Sequence, residues 1–237
     1  MRNILNWNQG WLFAKDTTDI TVSQGETVHL PHTWNAEDGH DGGNDYFRGT
    51  CVYTKTLRKA DLPVADCYYL ELRGANSSAD VYANGEKLAH HDGGYSTWRV
   101  ELTDALADET VIAVAVDNSP NETVYPQMAD FTFYGGLYRD VNLIAVNKTH
   151  FDLDYYGGSG LKITPVVEGK DAKVEVEVYI KDFTEGQSIR YTITDASGEA
   201  VAGGTGTWTG FFSQIANILS IALLSRRSPA RMAMPSP

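Results

Sequence analysis

Ala79-Asp80-Val81-Tyr82-Ala83-Asn84-Gly85-Glu86-Lys87-Leu88 reads as a β-hairpin. Asn84-Gly85 supplies the positive φ values that a two-residue hairpin turn requires. Short apolar runs separated by turn residues recur on both sides of it, which is an all-β pattern. Upstream lie Tyr68–Leu72, the alternating run Thr50–Leu57, and Val28–Leu30. The last runs into Pro31-His32-Thr33-Trp34, where proline ends ladder pairing on that side. Trp7–Phe13 opens the chain as a segment that anchors aromatics. Downstream, Thr97–Leu102, Thr110–Val116 and Asp140–Val146 bring the set to about eight strands. Val111 to Val116 is an unbroken apolar run, which predicts a strand covered on both faces. Nothing in the chain reads as a long amphipathic helix.

The pattern changes after Asn147. Leu161–Val167, Ala172–Ile180 and Ser188–Thr194 alternate cleanly. Val174, Val176, Val178 and Ile180 share one face and Glu175, Glu177 and Tyr179 the other, as in a half-exposed antiparallel strand. Asp195-Ala196-Ser197-Gly198 reads as a turn. These features place a domain boundary near 148, with one sandwich over 1–148 and a second, smaller one over 149–210. Residues 211–237 differ again, with no Asp, Glu or Lys, three Arg (226, 227, 231) and three of the eight prolines. Phe211–Leu224 is apolar but shorter than the roughly 17–25 residues that span a bilayer. A membrane anchor, a docking helix and an aberrant segment from a slipped reading frame or a truncated gene are the alternatives. The composition favours the last. On that view the upstream codons, read in another frame, would continue a sandwich pattern.

The 237 residues include 19 basic and 31 acidic side chains, a formal charge of −12. That balance argues against nucleic acid and anionic membrane as partners. Cys51 and Cys67 are too few for a disulfide framework and predict two reduced, packed thiols, which suits a cytoplasmic setting. The first ten residues carry no apolar core of signal-peptide length. Asn76-Ser77-Ser78, Asn121-Glu122-Thr123 and Asn147-Lys148-Thr149 match the glycosylation pattern and are discounted for that reason.

Met128 to Val141 has the composition of a site. One carboxylate, Asp130, is followed by the aromatics Phe131, Phe133 and Tyr134, then by Gly135-Gly136. Paired glycines allow a sharp bend or a close approach of backbone to a neighbour. Aromatic faces beside one charged acceptor suit a sugar, with rings for C–H surfaces and a carboxylate for hydroxyls. The alternative is a sheet-edge loop whose aromatics are core and whose Asp caps a turn.

Leu30-Pro31-His32-Thr33-Trp34-Asn35, Asp38-Gly39, Tyr46-Phe47-Arg48-Gly49 with Tyr53 and Lys55, the hairpin from Ala79, and Asp130 followed by Gly136-Leu137-Tyr138-Arg139-Asp140-Val141 come in one order. Together they resemble the N-terminal region of glycoside hydrolase family two, with β-galactosidases nearest and β-glucuronidases and β-mannosidases as relatives. The resemblance covers residues 1 to about 210. It implies a jelly-roll, galactose-binding-like sandwich over 1–148 and a partial immunoglobulin-like sandwich over 149–210, short of the roughly seven strands of a complete one. It also implies a following (β/α)₈ barrel that carries the acid/base and nucleophile glutamates. No residue here matches either catalytic motif, so no catalytic residue is assigned and no cofactor is expected. The resemblance makes Asp130 an acceptor for hydroxyls of the non-reducing sugar of a β-galactoside-type substrate. It makes Asn44 a second polar contact, with a turn residue as the alternative. N-terminal domains of this family often join oligomers, so a homo-oligomer is a further expectation. A free-standing carbohydrate-binding module is the alternative function.

Other clusters read as structural. Asp38, His40, Asp41 and Asp45 fit no known metal-ligand spacing in a glycine-rich loop, so no metal site is assigned. His90-His91-Asp92 is placed at a strand end. Arg48, Arg73 and Arg139 are expected in partly buried ion pairs, and Trp34 and Trp98 in packing.

Overall fold

The computed structural model describes residues 2–38, 46–125, 129, 131–168, 171–207 and 221–226. The chain divides into two compact units: Met1–Lys148 with Tyr156–Gly158, and Thr149–Tyr155 with Ser159–Pro237.

Among the described residues the first unit holds ten strands. They are β1 (Arg2–Asn6), β2 (Trp11–Ala14), β3 (Glu26–Val28), β4 (Thr50–Arg58), β5 (Cys67–Leu72), β6 (Ser78–Ala83), β7 (Glu86–Asp92), β8 (Trp98–Glu101), β9 (Glu109–Asp117) and β10 (Val141–Val146). A four-stranded sheet runs β1-β10-β5-β8 and a six-stranded sheet runs β3-β2-β4-β9-β6-β7. Every pairing in both is antiparallel. The hairpin forms where the sequence places it, with Asn84 at φ +49° and Gly85 at φ +87°. Its alternation buries Ala79, Val81 and Ala83 and leaves Asp80 and Tyr82 on the outer face. Strand β1 was not expected; it is an outer strand of its sheet with alternating exposed positions, so its sequence lacks an apolar run. The run Val111–Val116 is covered on both faces only in its middle. Val111 is exposed and Ala115 half-buried, because the outer face of β9 opens to solvent at both ends.

Trp11, Tyr53, Leu70, Leu72, Ile112 and Leu137 are fully buried in the core, and Trp34 and Trp98 are buried with them, as packing residues should be. A buried charged row crosses the four-stranded sheet. Glu71 pairs with Arg99 across β5 and β8 (2.6 Å), both nearly fully buried, and accepts from Asn142 of β10 (3.0 Å). Burial alone would raise the Glu71 carboxyl. Bonds from Asn142 and Arg99, with the charges of Arg99 and Arg73, reverse that and hold it below the usual carboxylate range. Cys51 on β4 is buried, which pushes its thiol up to about 11; Cys67 at the start of β5 is half-buried.

The second unit contains β11 (His150–Phe151), β12 (Leu161–Glu168), β13 (Asp171–Val178), β14 (Ile180–Lys181), β15 (Ser188–Thr194), β16 (Ala200–Thr207) and β17 (Ile221–Arg226). Its sheets are β12-β13-β17, β11-β14 and β15-β16. The strands expected at 161–167 and 188–194 form, and the 172–180 run is split at Tyr179 into β13 and β14. The turn at Asp195–Gly198 forms with Gly198 at φ +87°. Of 211–237 only β17 is described; it pairs antiparallel with β13, Val176 opposite Ile221. Among the described residues no helix is long and apolar enough to cross a membrane.

Candidate functional site: a clamped rim beside Asp130

Asp130 and Asn44 lie outside the described residues, as do His40, Asp41 and Asp45. The segment that follows Asp130 is described, and its main chain is held at every residue from Phe133 to Leu137. Tyr46 OH donates to the Phe133 carbonyl. Asn76 Nδ2 donates to the Tyr134 carbonyl (3.0 Å), and Asn76 and Gly136 exchange two main-chain bonds (3.1 and 3.2 Å). The Gly135 N–H donates to Asn35 Oδ1 (2.9 Å), and the Leu137 carbonyl accepts from His32 N (2.8 Å).

Asn35 is the hub of this clamp and is completely buried. Its oxygen accepts from Gly135 N and from Asn118 Nδ2 (3.3 Å); its nitrogen donates to Asp38 Oδ2 (2.6 Å) and to the Phe47 carbonyl (3.1 Å). That uses the full hydrogen-bonding capacity of a primary amide. Asn118, also buried, accepts from Gly49 N (2.9 Å) and donates to Phe47 O (3.1 Å). Asp38 spends its Oδ2 on Asn35 and on Phe47 N (3.0 Å). It serves the loop's architecture, and among the described residues no group of acids, histidines or cysteines could hold a metal.

The double glycine is a packing requirement. A Cβ on Gly135 would fall against the Trp34 ring and 2.7 Å from Asn118 Nδ2. On Gly136, at φ +114°, it would fall 2.7 Å from Tyr53 OH and 2.8 Å from the His32 carbonyl. Beneath the bend, His32 Nδ1 bonds Tyr53 OH at 2.8 Å. Burial lowers His32 and raises Tyr53, so both are neutral at physiological pH and act as a floor. On the outer side Phe131 packs on Phe133 (centroids 4.8 Å apart), with Phe131 and Tyr134 exposed.

The remaining candidates separate. Arg73 forms the expected ion pairs, with Glu71 at 3.4 Å and Asp140 at 3.7 Å. Arg48 lies over the Tyr46 ring. Arg139 departs from the expectation. Its guanidinium donates to the Tyr95 carbonyl (2.8 Å) and lies over the Tyr138 ring, because Asp140 is turned toward Asn8 (2.8 Å). His90 and His91 point to opposite faces of β7. His90 Nδ1 is 2.6 Å from Asp80 and its Nε2 3.3 Å from Asp92, whereas His91 stacks on Trp98 at 4.9 Å.

The fold matches that of known glycosidases. No protein-family model matches the chain. It is 36% identical over 184 residues to a β-glucuronidase of Bacteroides fragilis, covering 76% of this chain and 26% of that protein. It is 27% identical over 221 residues to a β-galactosidase of Thermoanaerobacter pseudethanolicus, covering 84% and 30%. Among solved structures, an FMN-binding β-glucuronidase from Facaelibacterium prausnitzii L2-6 superposes with a TM-score of 0.83 at 36% identity, over 97% of this chain and 34% of that one. The chain belongs to glycoside hydrolase family two and corresponds to an N-terminal portion of its members. It spans about a quarter to a third of the length of these relatives.

Proposed function

We propose that this chain supplies the sugar-gripping rim of a retaining exo-β-glycosidase of β-galactosidase type. Retaining hydrolysis needs two carboxyls roughly 5–5.5 Å apart, one as nucleophile and one as acid/base. In this reading both belong to a (β/α)₈ barrel, and the chain alone hydrolyses nothing and needs no cofactor. Asp130 accepts hydroxyls of the non-reducing sugar, where an ionised acceptor binds more strongly and more directionally than a neutral one. Asn44 adds a second polar contact. The supporting observation is the clamp: three buried asparagines and two glycines fix the backbone from Phe133 to Leu137, a few residues after Asp130, as a residue aimed at substrate requires. A β-glucuronidase is the second reading, favoured by the 36% identity to such an enzyme. A cytoplasmic homo-oligomer fits both.

The test is Asp130→Ala in a full-length enzyme carrying this region, assayed on aryl β-galactoside and aryl β-glucuronide. kcat/KM should fall at least about tenfold, ~1.4 kcal/mol of transition-state stabilisation, on the true substrate. An unchanged value removes Asp130 from the site.

A further inference from the structure

The outer face of the six-stranded sheet carries a groove of about 600 Å³, within the size range of small-ligand sites. Strand register builds it. Val52, Ala115, Asp80 and His90 form one row across β4, β9, β6 and β7, and Thr50, Asp117, Ser78 and Asp92 form the next. Ala115 gives a low floor between taller neighbours. Tyr82 and Thr18, the latter from the β2–β3 connection, also line it. Ser119–Thr123 closes one end and is tied down. Asn121 Nδ2 donates to Ser78 Oγ (2.8 Å) and Asp92 Oδ1 (3.1 Å), and Thr123 Oγ1 donates to Asp92 Oδ2 (2.9 Å).

The acids of the groove have distinct jobs. Asp92 is saturated: it accepts from Ser78, Asn121, Thr123 and His90, and braces the end loop. Asp117 accepts from Thr50 Oγ1 (2.6 Å), from Ser119 N (2.6 Å) and from the Ser119 side chain, which leaves part of a carboxylate's acceptor capacity unused. Asp80 engages His90 and Lys87 through Oδ1, leaving Oδ2 with a single long contact from Tyr82 OH (3.4 Å). Two oriented carboxylates therefore keep acceptor capacity beside the Ala115 floor, Asp80 opposite it on β6 and Asp117 two residues along β9. With Glu122 the lining holds four carboxylates and one histidine, and neither Lys nor Arg. That field repels uronates and phosphates. It favours a ligand that offers many hydroxyl donors, a flat apolar C–H face for Tyr82 and the alanine floor, and no negative charge.

We propose that this groove binds a neutral saccharide chain, at a place on the sandwich separate from the Asp130 rim. The proposal does not depend on the role of Asp130. The test is a titration of the ¹⁵N-labelled full chain with cellotetraose, xylotetraose and β-1,4-galactotetraose, with tetragalacturonate as the anionic comparison. At least one neutral probe should shift the amides of Tyr82, Ala115 and Asn121, and tetragalacturonate none. Ala115→Leu, which fills the floor from a half-buried position, should weaken that binding at least about tenfold with the melting transition unchanged. Tyr82→Ala should weaken it as well and serves if the leucine variant misfolds. No shift with any neutral probe at millimolar concentration overturns the proposal, as does equal binding of tetragalacturonate. Shifts confined to 131–137 also overturn it, and support the Asp130 rim instead.

Discussion

Two polar networks occupy one sandwich and obey different rules. Around Asn35 the partners are neutral amides and main-chain groups, apart from Asp38, and the hub is fully desolvated. Around His90 the partners are Asp80, Asp92 and, at Asp80, Lys87, all with substantial side-chain exposure. An amide can be buried completely once each donor and acceptor is matched, whereas a charge is costly to remove from water. The first network can therefore serve as rigid mounting, and the second remains responsive to pH and salt.

The buried Glu71–Arg99 pair is the sharpest challenge to that contrast, because it is charged and nearly dry. It persists because Glu71 is paired on one side by Arg99 and bonded on the other by Asn142. Glu71→Ala should strand the Arg99 charge and cost about 3–5 kcal/mol in urea unfolding of the first unit. A loss close to that of an exposed pair would mean that water reaches the row.

Asn35→Ala should come next, at about 3 kcal/mol, by orphaning Gly135 N and leaving the Phe47 carbonyl with Asn118 alone. Gly135→Ala, which forces a methyl into Trp34 and Asn118, should cost about 1–3 kcal/mol. Neither loss should change between pH 7 and 8, because the imidazole beneath the bend, His32, is lowered by burial and is already neutral there. A pH-dependent loss would break the division between the two networks.

The smallest effect belongs to the histidines. His90 is raised, first by its bond to Asp80 and then by Asp92, against the lowering effect of burial. Its contribution is complete below about pH 6.5 and fades as pH climbs through its raised value. Asp92, held at about 2 chiefly by Ser78 and Thr123, contributes above about pH 4 and loses its contribution as pH falls through 2. Both are solvent-screened, so each should be worth less than about 1 kcal/mol. His91 is lowered by burial against Trp98. NMR titration should place these adjacent imidazoles on opposite sides of the ordinary value. Coincident titrations would show that β7 does not present two distinct faces.

The hairpin, the alternating strands and the need for two glycines were legible because each is written in neighbouring residues. The clamp was not. Asn35, Asn76 and Asn118 look like turn residues, and their partners lie as far as 100 positions away. One signal for the buried row was present: Glu71 interrupts an apolar strand, Cys67–Leu72, and an acid there demands a partner. The groove was half-legible. Alternation puts Asp80 and Tyr82 on one face, but only the register of β6 against β9 brings Asp117 and Ala115 beside them.

Cys51, on β4, has no exposed surface and a thiol pushed up to about 11, whereas Cys67 is half-buried. Alkylating reagents attack thiolates, so the inner sulfur should stay silent for as long as the sandwich is closed. The protein thus carries its own clock: the rate at which a second label arrives counts the openings of the first unit, without any engineered probe.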